Sequence, residues 1–251
     1  NFDNTHLLEL LCGTQPSFSM HKYTFSYFRQ LLKMLKPLVH VESLFLHGIT
    51  AHIGRDIFEK FPSLVQLHID KCVDVDWSEI KKLPICLLRL NDVSSAEKNT
   101  INDIVSTCAT KHLRSLIIEN CRNKWDVELD ISLAYGLFQL TVRNCVMSDI
   151  LLQKDFSDPS RFSSLWIEDA PELRFISPSL IEECDWIHLE KVPKLQEIDI
   201  SNVALRHIHF SETAFEMSVC PGDNIIQLYL QKQKVANLFE LLKNLKRLET
   251  L

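Results

Sequence analysis

Glycine is scarce in this sequence, with five residues in 251, where a typical soluble domain has about 7%. The five do not cluster, so the sequence contains neither the glycine-rich fingerprint of dinucleotide-binding folds nor a phosphate-binding loop. Few positions therefore allow the close approach of backbone to ligand that such sites need. The common nucleotide-dependent enzymes are disfavoured as a class.

Paired cysteines and catalytic signatures are also absent. The eight cysteines are spread singly, without a Cys-x-x-Cys pair, which disfavours a zinc site and favours a reducing compartment. The sequence has no Gly-x-Ser-x-Gly elbow and no His-Glu-x-x-His motif, the patterns of serine hydrolases and zinc proteases. We therefore predict a protein that is not an enzyme, with no catalytic, cofactor-binding or metal-binding residues.

Long apolar runs and an excess of basic residues are missing as well. No stretch approaches the roughly 18 apolar residues of a membrane span, and 27 Lys and Arg stand against 33 Asp and Glu, a net charge of −6. We predict no membrane span in this fragment and no nucleic-acid partner, because a nucleic-acid binder needs a basic stripe. The sequence starts at Asn1 and stops within a periodic pattern, so we expect a fragment truncated at its C-terminus.

What the sequence does contain is a repeat. Its unit has apolar residues at the first, fourth and sixth positions and a small or apolar residue at the ninth. Three clear copies run over 64–72, 113–121 and 137–145. Weaker copies begin at Val41, Ile85, Phe162, Cys184, Leu205, Ile225 and Leu245. A further copy that begins at Leu195 leaves the register open after Cys184.

Each unit predicts a short strand with one buried face, because its apolar residues alternate with polar ones. Strands that return every 20 to 28 residues must run the same way and form a parallel sheet. The return over 100–108 has apolar residues at helical spacing, whereas Pro171, Pro178 and Pro193 disfavour long helices in later returns. The sequence thus predicts helical connections early in the chain and extended ones late.

From residue 41 to the end, this repeat resembles that of leucine-rich-repeat proteins. The copies ending in cysteine are most similar to the cysteine-containing and ribonuclease-inhibitor-like subclasses, F-box leucine-rich proteins among them. The resemblance implies an α/β fold: a curved solenoid of nine or ten repeats, with a parallel concave β-sheet and a helical to irregular convex side. It also implies that Cys72, Cys121 and Cys145 occupy the buried position that ends each repeat. These subclasses are mainly intracellular, so we expect a cytoplasmic or nuclear protein, with an extracellular location as the alternative.

Residues 1–40 lie outside the predicted repeat. Apolar residues at helical spacing over 25–35, ending before Pro37, predict a helix. An open solenoid must cover its terminal apolar surface. We therefore interpret 1–40 as an N-terminal helical cap, or a flanking segment with a docking helix, and 41–251 as the leucine-rich-repeat domain.

The candidate site follows from the residue between the second and third apolar positions of each strand, which points out of the concave face in this family. In order, these residues are Phe45, His68, Arg89, Ile117, Thr141, Trp166, His188, His209 and Tyr229. An ordinary solvated sheet face is rich in Lys, Glu, Ser and Thr, whereas aromatic and arginine side chains concentrate at the centres of protein interfaces. We predict that the partner-binding residues are Phe45, His68, Arg89, Trp166, Trp186, His188, His209 and Tyr229. The isolated His207-x-His209 pair fits a solvent-facing position better than a metal site.

The predicted function is non-catalytic protein binding through the concave face. Neighbouring positions carry seven acidic and four basic side chains, which indicates a partner with a mildly basic surface. Two alternatives stay open: the substrate-recognition domain of an F-box-type ubiquitin-ligase receptor, and an extracellular leucine-rich-repeat recognition domain. The sequence indicates no oligomeric state.

Overall fold

The computed structural model describes residues 17–22, 24–93, 101–109, 111–121, 128–152, 162–182, 184–198, 200, 205–214, 216–217, 224–232, 234–235, 242–243 and 245–250. Within these ranges the apolar residues form one continuous core that extends from Met20 to Leu245. No helix of the described chain is both long enough and apolar enough to cross a membrane.

A ten-stranded parallel sheet, the main sheet, runs the length of the molecule. Its neighbouring strands, in spatial order, are β1 (Ser17–His21), β2 (Ser43–His47), β3 (Gln66–Asp70), β4 (Leu87–Asn91), β5 (Ser115–Glu119), β7 (Gln139–Arg143), β9 (Ser164–Glu168), β11 (Trp186–Glu190), β12 (His207–Ser211) and β14 (Gln227–Gln231). Spatial order follows chain order throughout, so each repeat stacks on the one before it. The predicted parallel-sheet solenoid is confirmed.

The repeat positions explain why each unit folds as it does. In the unit that begins at Leu113, the apolar residues Leu113, Leu116, Ile118 and Cys121 are all buried. Because strand side chains alternate between faces, Ser115, Ile117 and Glu119 lie on the opposite side, which we call the open face. Parallel pairing keeps equivalent positions of successive units side by side, as with Ile117 opposite Thr141.

Every unit from β2 to β14 ends in a left-handed backbone turn at its eighth position. Gly48 is the only glycine there; the others are Lys71, Asp92, Asn120, Asn144, Asp169, Lys191, Glu212 and Lys232, with φ between 45° and 57°. The amide of this residue still donates to the next strand, as from Asn120 to the Arg143 carbonyl at 2.9 Å. Stacking therefore holds non-glycine residues in a conformation that they rarely adopt.

The connections differ along the chain as predicted. Helices come early: α1 (Phe25–Met34), α2 (Arg55–Phe58), α3 (Trp77–Ile80) and α4 (Ile101–Cys108). The later part of the described chain contains the single turn α5 (Pro178–Ile181) and helical residues at 242–243. From the middle of the chain, short strands form a second parallel sheet of β6 (Glu128–Asp130), β8 (Asp149–Leu151) and β10 (Phe175–Ile176), and β13 (Glu216–Met217) pairs with β15 (Lys234–Val235). The core lies between these connections and the main sheet.

The N-terminal edge of the sheet differs from the predicted boundary at residue 41. Strand β1 pairs in parallel with β2, opposing Ser19 to Phe45, and α1 follows it, so residues 17–40 contain one further strand-and-helix unit. The repeat pattern missed this unit because Gln15 occupies the position where other units have an apolar residue. The predicted helix over 25–35 matches α1, whereas a capping or docking role for it stays a prediction.

Two questions of C-terminal register are also settled. Strand β11 comes from the unit that begins at Cys184, whereas the overlapping copy at Leu195 forms no strand among its described residues. The last unit begins at Leu248 rather than at Leu245, because Thr250 forms a parallel bridge with Gln227. Leu245 instead supplies the carbonyl of the preceding turn, which accepts from the Leu248 amide at 3.4 Å.

Candidate functional site

The open face presents three parallel rows of side chains, one from each outward position of the strands. The central row brings together all the predicted site residues except Trp186, in consecutive register: Ser19, Phe45, His68, Arg89, Ile117, Thr141, Trp166, His188, His209 and Tyr229. Trp186 lies in a flanking row, opposite Ser164 and His207. The sheet thus places on one surface residues that are up to 184 positions apart in sequence, from Phe45 to Tyr229.

Four rings of the central row form an uninterrupted stack across β9, β11, β12 and β14. The ring centroids are 4.0 Å apart from Trp166 to His188, 4.0 Å from His188 to His209 and 4.2 Å from His209 to Tyr229. Adjacent ring planes differ by 16° to 23°. We call these four residues the aromatic stack. Strand spacing of ~4.8 Å makes face-to-face stacking of equivalent side chains possible.

Because the faces of the stacked rings cover one another, the stack presents ring edges to the solvent. Tyr229 closes one end and is 44% exposed, and its hydroxyl donates to Gln231 at 3.1 Å. At the other end, the Arg143 guanidinium lies 5.0 Å from the centre of the Trp166 ring, a cation–π arrangement. Each ring is thereby held in one orientation.

Arg143 also links the aromatic stack to a chain of ion pairs in the neighbouring row. Glu119 is only 6% exposed. It accepts from Arg89 Nε at 2.7 Å and from Arg143 Nη1 at 3.3 Å. Arg143 Nε lies 3.4 Å from Glu168 Oε2. Glu119 and Glu168 are therefore matched by Arg89 and Arg143, and these ion pairs extend over β4, β5, β7 and β9.

The remaining predicted residues form two smaller aromatic contacts. Trp186 is 43% exposed and tilts against His207, with ring centroids 5.1 Å apart. Phe45 and His68 stack with centroids 4.3 Å apart. Ile117 and Thr141, together with Arg89, separate this second pair from the aromatic stack. The aromatic residues of the predicted site thus belong to three groups on one face: the aromatic stack, the Trp186–His207 pair and the Phe45–His68 pair.

The degree of exposure differs from that expected for a uniformly solvent-facing row. His188 is 6% exposed because the neighbouring rings of the stack cover it, and Thr141 is 4% exposed because side chains of neighbouring strands cover it. Burial lowers the pKa of His188 to about 4, and the electrostatic interactions with His209 and Arg143 act in the same direction. Burial also lowers the pKa of His209. The His188 imidazole is therefore neutral at pH 7.

Three cysteines at the ninth position of their units, which we call the ladder cysteines, lie on the core side of the sheet, away from this site. Cys72, Cys121 and Cys145 are buried free thiols. Each donates to the carbonyl two residues earlier, at 3.4 Å, 3.3 Å and 3.1 Å respectively. Burial raises the pKa of Cys72 to about 11. These contacts satisfy backbone carbonyls at the ends of strands, which is a structural role.

A depression on the opposite side of the molecule is a weaker candidate for binding. It lies between α2 and α3 and is lined by Phe58, Pro62, Leu83, Arg55, Glu59, Glu79 and Lys82. Its charged side chains pair with one another, Arg55 with Glu59 at 2.5 Å and Lys82 with Glu79 at 2.6 Å. It has no aromatic cluster comparable to the stack.

Sequence reasoning placed the central row correctly but missed the roles of Arg143 and Glu190. The sequence pattern indicates both residues only as charged side chains beside the central row. Arg143 covers the end of the stack, and Glu190 Oε2 lies 3.5 Å from His188 Nε2. The available signal was the alternation itself, because residues two positions further along a strand lie on the same face.

Two solved structures from Listeria monocytogenes resemble the chain. One is the functional domain of InlJ, which includes a cysteine ladder: 16% of residues are identical, the TM-score is 0.50, and the match covers 76% of this chain and 44% of that one. The other is an internalin, inlF of strain 4b F2365, with 11% identity, a TM-score of 0.27 and 88% of each chain covered. The chain spans less than half the length of the InlJ domain. No protein-family model matches the sequence, and no curated protein matches it. With the repeat and the ten-stranded parallel sheet, the likeness to InlJ shows that this chain has the fold of a leucine-rich-repeat solenoid.

Proposed function

We propose that the open face of the main sheet is a non-catalytic binding surface for a partner protein. Its centre consists of the aromatic stack and Trp186, and Phe45, His68 and Arg89 extend it towards β2. The observation that carries the proposal is the in-register stack of four rings across four neighbouring strands. A solvated sheet face has no need of such a cluster, whereas interface centres are enriched in Trp, Tyr and Arg.

The aromatic stack also reduces the entropic cost of association. Stacking and the Arg143 contact already restrict the rotamers of Trp166, His188 and His209. Side chains ordered before binding lose little further freedom when the partner docks. The two most exposed large aromatic residues at the centre, Trp186 and Tyr229, are the anchors that we expect to contribute most to the affinity.

The internal ion pairs bear on the charge of the partner. Glu119 and Glu168 are engaged by Arg89 and Arg143, and Glu212 pairs with Lys232 at 2.8 Å. A mildly basic partner surface remains part of the proposal. We expect it to steer association rather than to set the affinity, because much of the acidic charge is already paired.

The proposal includes a location in the cytoplasm or nucleus, because the eight cysteines are spread singly along the sequence and the repeat resembles mainly intracellular subclasses. The F-box-receptor and extracellular alternatives use the same face but differ in context. Thiol titration of the protein isolated from its native source separates the compartments: free ladder thiols support the reducing one, and disulfides support the extracellular one. Association of the full-length protein with a ubiquitin-ligase adaptor identifies the F-box type.

The test begins with a pull-down that uses the intact chain and continues with calorimetry against the protein recovered. Trp186→Ala and Tyr229→Ala should each weaken binding, and at least one should cost about 2 kcal/mol, as central aromatic anchors do. Tyr135→Ala is the matched control, because Tyr135 is similarly exposed but lies in the connection between β6 and β7. Unchanged affinity in both open-face variants, with loss of binding in Tyr135→Ala, rejects the proposal.

A further inference from the structure

At the aromatic stack, three side chains lie together in a way that protein binding does not require. His188, Glu190 and His209 each offer a nitrogen or oxygen atom, and these atoms all lie within 4.8 Å of one another. They come from two adjacent strands: His188 and Glu190 are two residues apart on β11, and His209 faces His188 from β12. Alternation places all three on the open face.

Among the described residues, His188 Nε2 is a buried polar atom for which no hydrogen-bond partner lies within bonding distance. The side chain is 8% exposed, and the nearest carboxylate oxygen, Glu190 Oε2, lies 3.5 Å away. Buried polar groups are nearly always satisfied in folded proteins, so an ion shared with Glu190 would satisfy this nitrogen better than the long direct contact does.

The same distance has a simple explanation in coordination chemistry. Two ligand atoms that each lie 2.0–2.2 Å from a tetrahedral zinc ion are about 3.4 Å apart. The separation of His188 Nε2 and Glu190 Oε2 therefore suits a shared ion better than a direct hydrogen bond. We propose that His188, Glu190 and His209 form a binding site for a divalent transition-metal ion of the zinc type on the open face.

The chemistry of the three groups supports this site. Imidazole nitrogens together with one carboxylate suit Zn²⁺ and its neighbours in the first transition series. A neutral imidazole has a lone pair on one ring nitrogen, and this is the form that binds a metal ion. The nearby charge of Arg143 is offset by Glu119 and Glu168, so it does not leave an unmatched cation beside the site.

Metal binding requires one local rearrangement. An imidazole coordinates an ion in the plane of its ring, but the His188 and His209 rings are stacked nearly parallel. His209 is the less buried of the two, so its ring turns out of the stack and the contact with Tyr229 changes. The three protein ligands leave a fourth position for water.

The experiment titrates the full chain with Zn²⁺ by calorimetry and with Co²⁺ by absorption spectroscopy, both as the metal salt alone. We expect one ion per chain, and a cobalt spectrum with d–d bands but without a sulfur-to-cobalt charge-transfer band. Strong sulfur charge transfer at one equivalent means that cysteines bind the ion, and it rejects the site.

Ring-preserving variants provide the second arm. His209→Phe and Glu190→Gln should each lower the affinity at least about tenfold, because each removes one ligand of three. His68→Phe is the matched control: it replaces a histidine that also stacks in the central row, on Phe45, and should bind metal like the parent. Equal affinity in the parent, His209→Phe and Glu190→Gln overturns the proposal. Since metal is the only probe, this result is independent of partner binding.

Discussion

His188 stacks on Trp166 with ring centroids 4.0 Å apart and ring planes 16° apart, although the two residues are 22 positions apart in the sequence. The contact joins β9 to β11 on the open face and, with His209 on the other side, buries His188. Burial is the main reason why the pKa of His188 lies at about 4 instead of near 6.5. An outward-pointing side chain thus behaves electrostatically as an interior one.

This burial predicts an acid-sensitive stability. Between about pH 6.5 and 4 the unfolded chain binds a proton at His188 that the native chain does not, so the free energy of unfolding decreases as the pH falls through this window. Urea denaturation at several pH values in chelator-containing buffer checks this. Between about pH 6.5 and 4, the free energy of unfolding of the parent should fall by up to about 3 kcal/mol more than that of His188→Phe. Parallel pH profiles for the two proteins would show that His188 titrates normally.

The left-handed turn at the eighth position of each unit predicts that a substitution by glycine there stabilises the protein, whereas glycine substitutions elsewhere usually destabilise it. Lys71 is exposed with φ of 53°, so Lys71→Gly should raise the free energy of unfolding by about 0.5–1 kcal/mol, whereas the β-branched Lys71→Val should lower it. Lys33→Gly, on the exposed side of α1, is the control and should destabilise. Thermal denaturation of the three variants checks the signs.

The two faces of β5 predict opposite sensitivities for neighbouring residues. Leu116 is fully buried in the core, so Leu116→Ala should cost ~2–5 kcal/mol by leaving a cavity. Ile117, the next residue, lies on the open face, and Ile117→Ala should cost far less. Similar losses in urea denaturation for both variants would contradict the assigned register of β5.

Cysteine reactivity should divide according to burial. Cys86 is exposed, whereas Cys72, Cys121 and Cys145 are buried, and the raised pKa of Cys72 further reduces its thiolate. Brief alkylation of the native protein, followed by peptide mass spectrometry, should label Cys86 well before the three ladder cysteines. Labelling of all four at one rate would show that the ladder is accessible. Cys12 and Cys220 lie outside the described residues.

The sequence alone determined most of the architecture, because strand formation and its register depend on local alternation. The nine units from Val41 to Ile225 each produced a strand of the main sheet, and helical connections gave way to extended ones as predicted. Where the local signal is broken, the prediction missed the strand: β1 lacks the first apolar residue of its unit. At the other end, the sequence pattern predicted a unit that begins at Leu245, whereas the bridge from Thr250 to Gln227 shows that it begins at Leu248.

The properties of the site were decided by the tertiary structure. The repeat predicted that Trp166, His188, His209 and Tyr229 share one face. It did not predict which rings stack, that Arg143 covers one end of the stack, or that His188 is buried. Nor did it bring Glu190 to the two histidines. A side chain's direction is set within its own strand, whereas its neighbours come from strands 20 or more residues away. Only the stacking of successive repeats fixes which atoms meet, and with them the burial, charge and coordination chemistry of the open face.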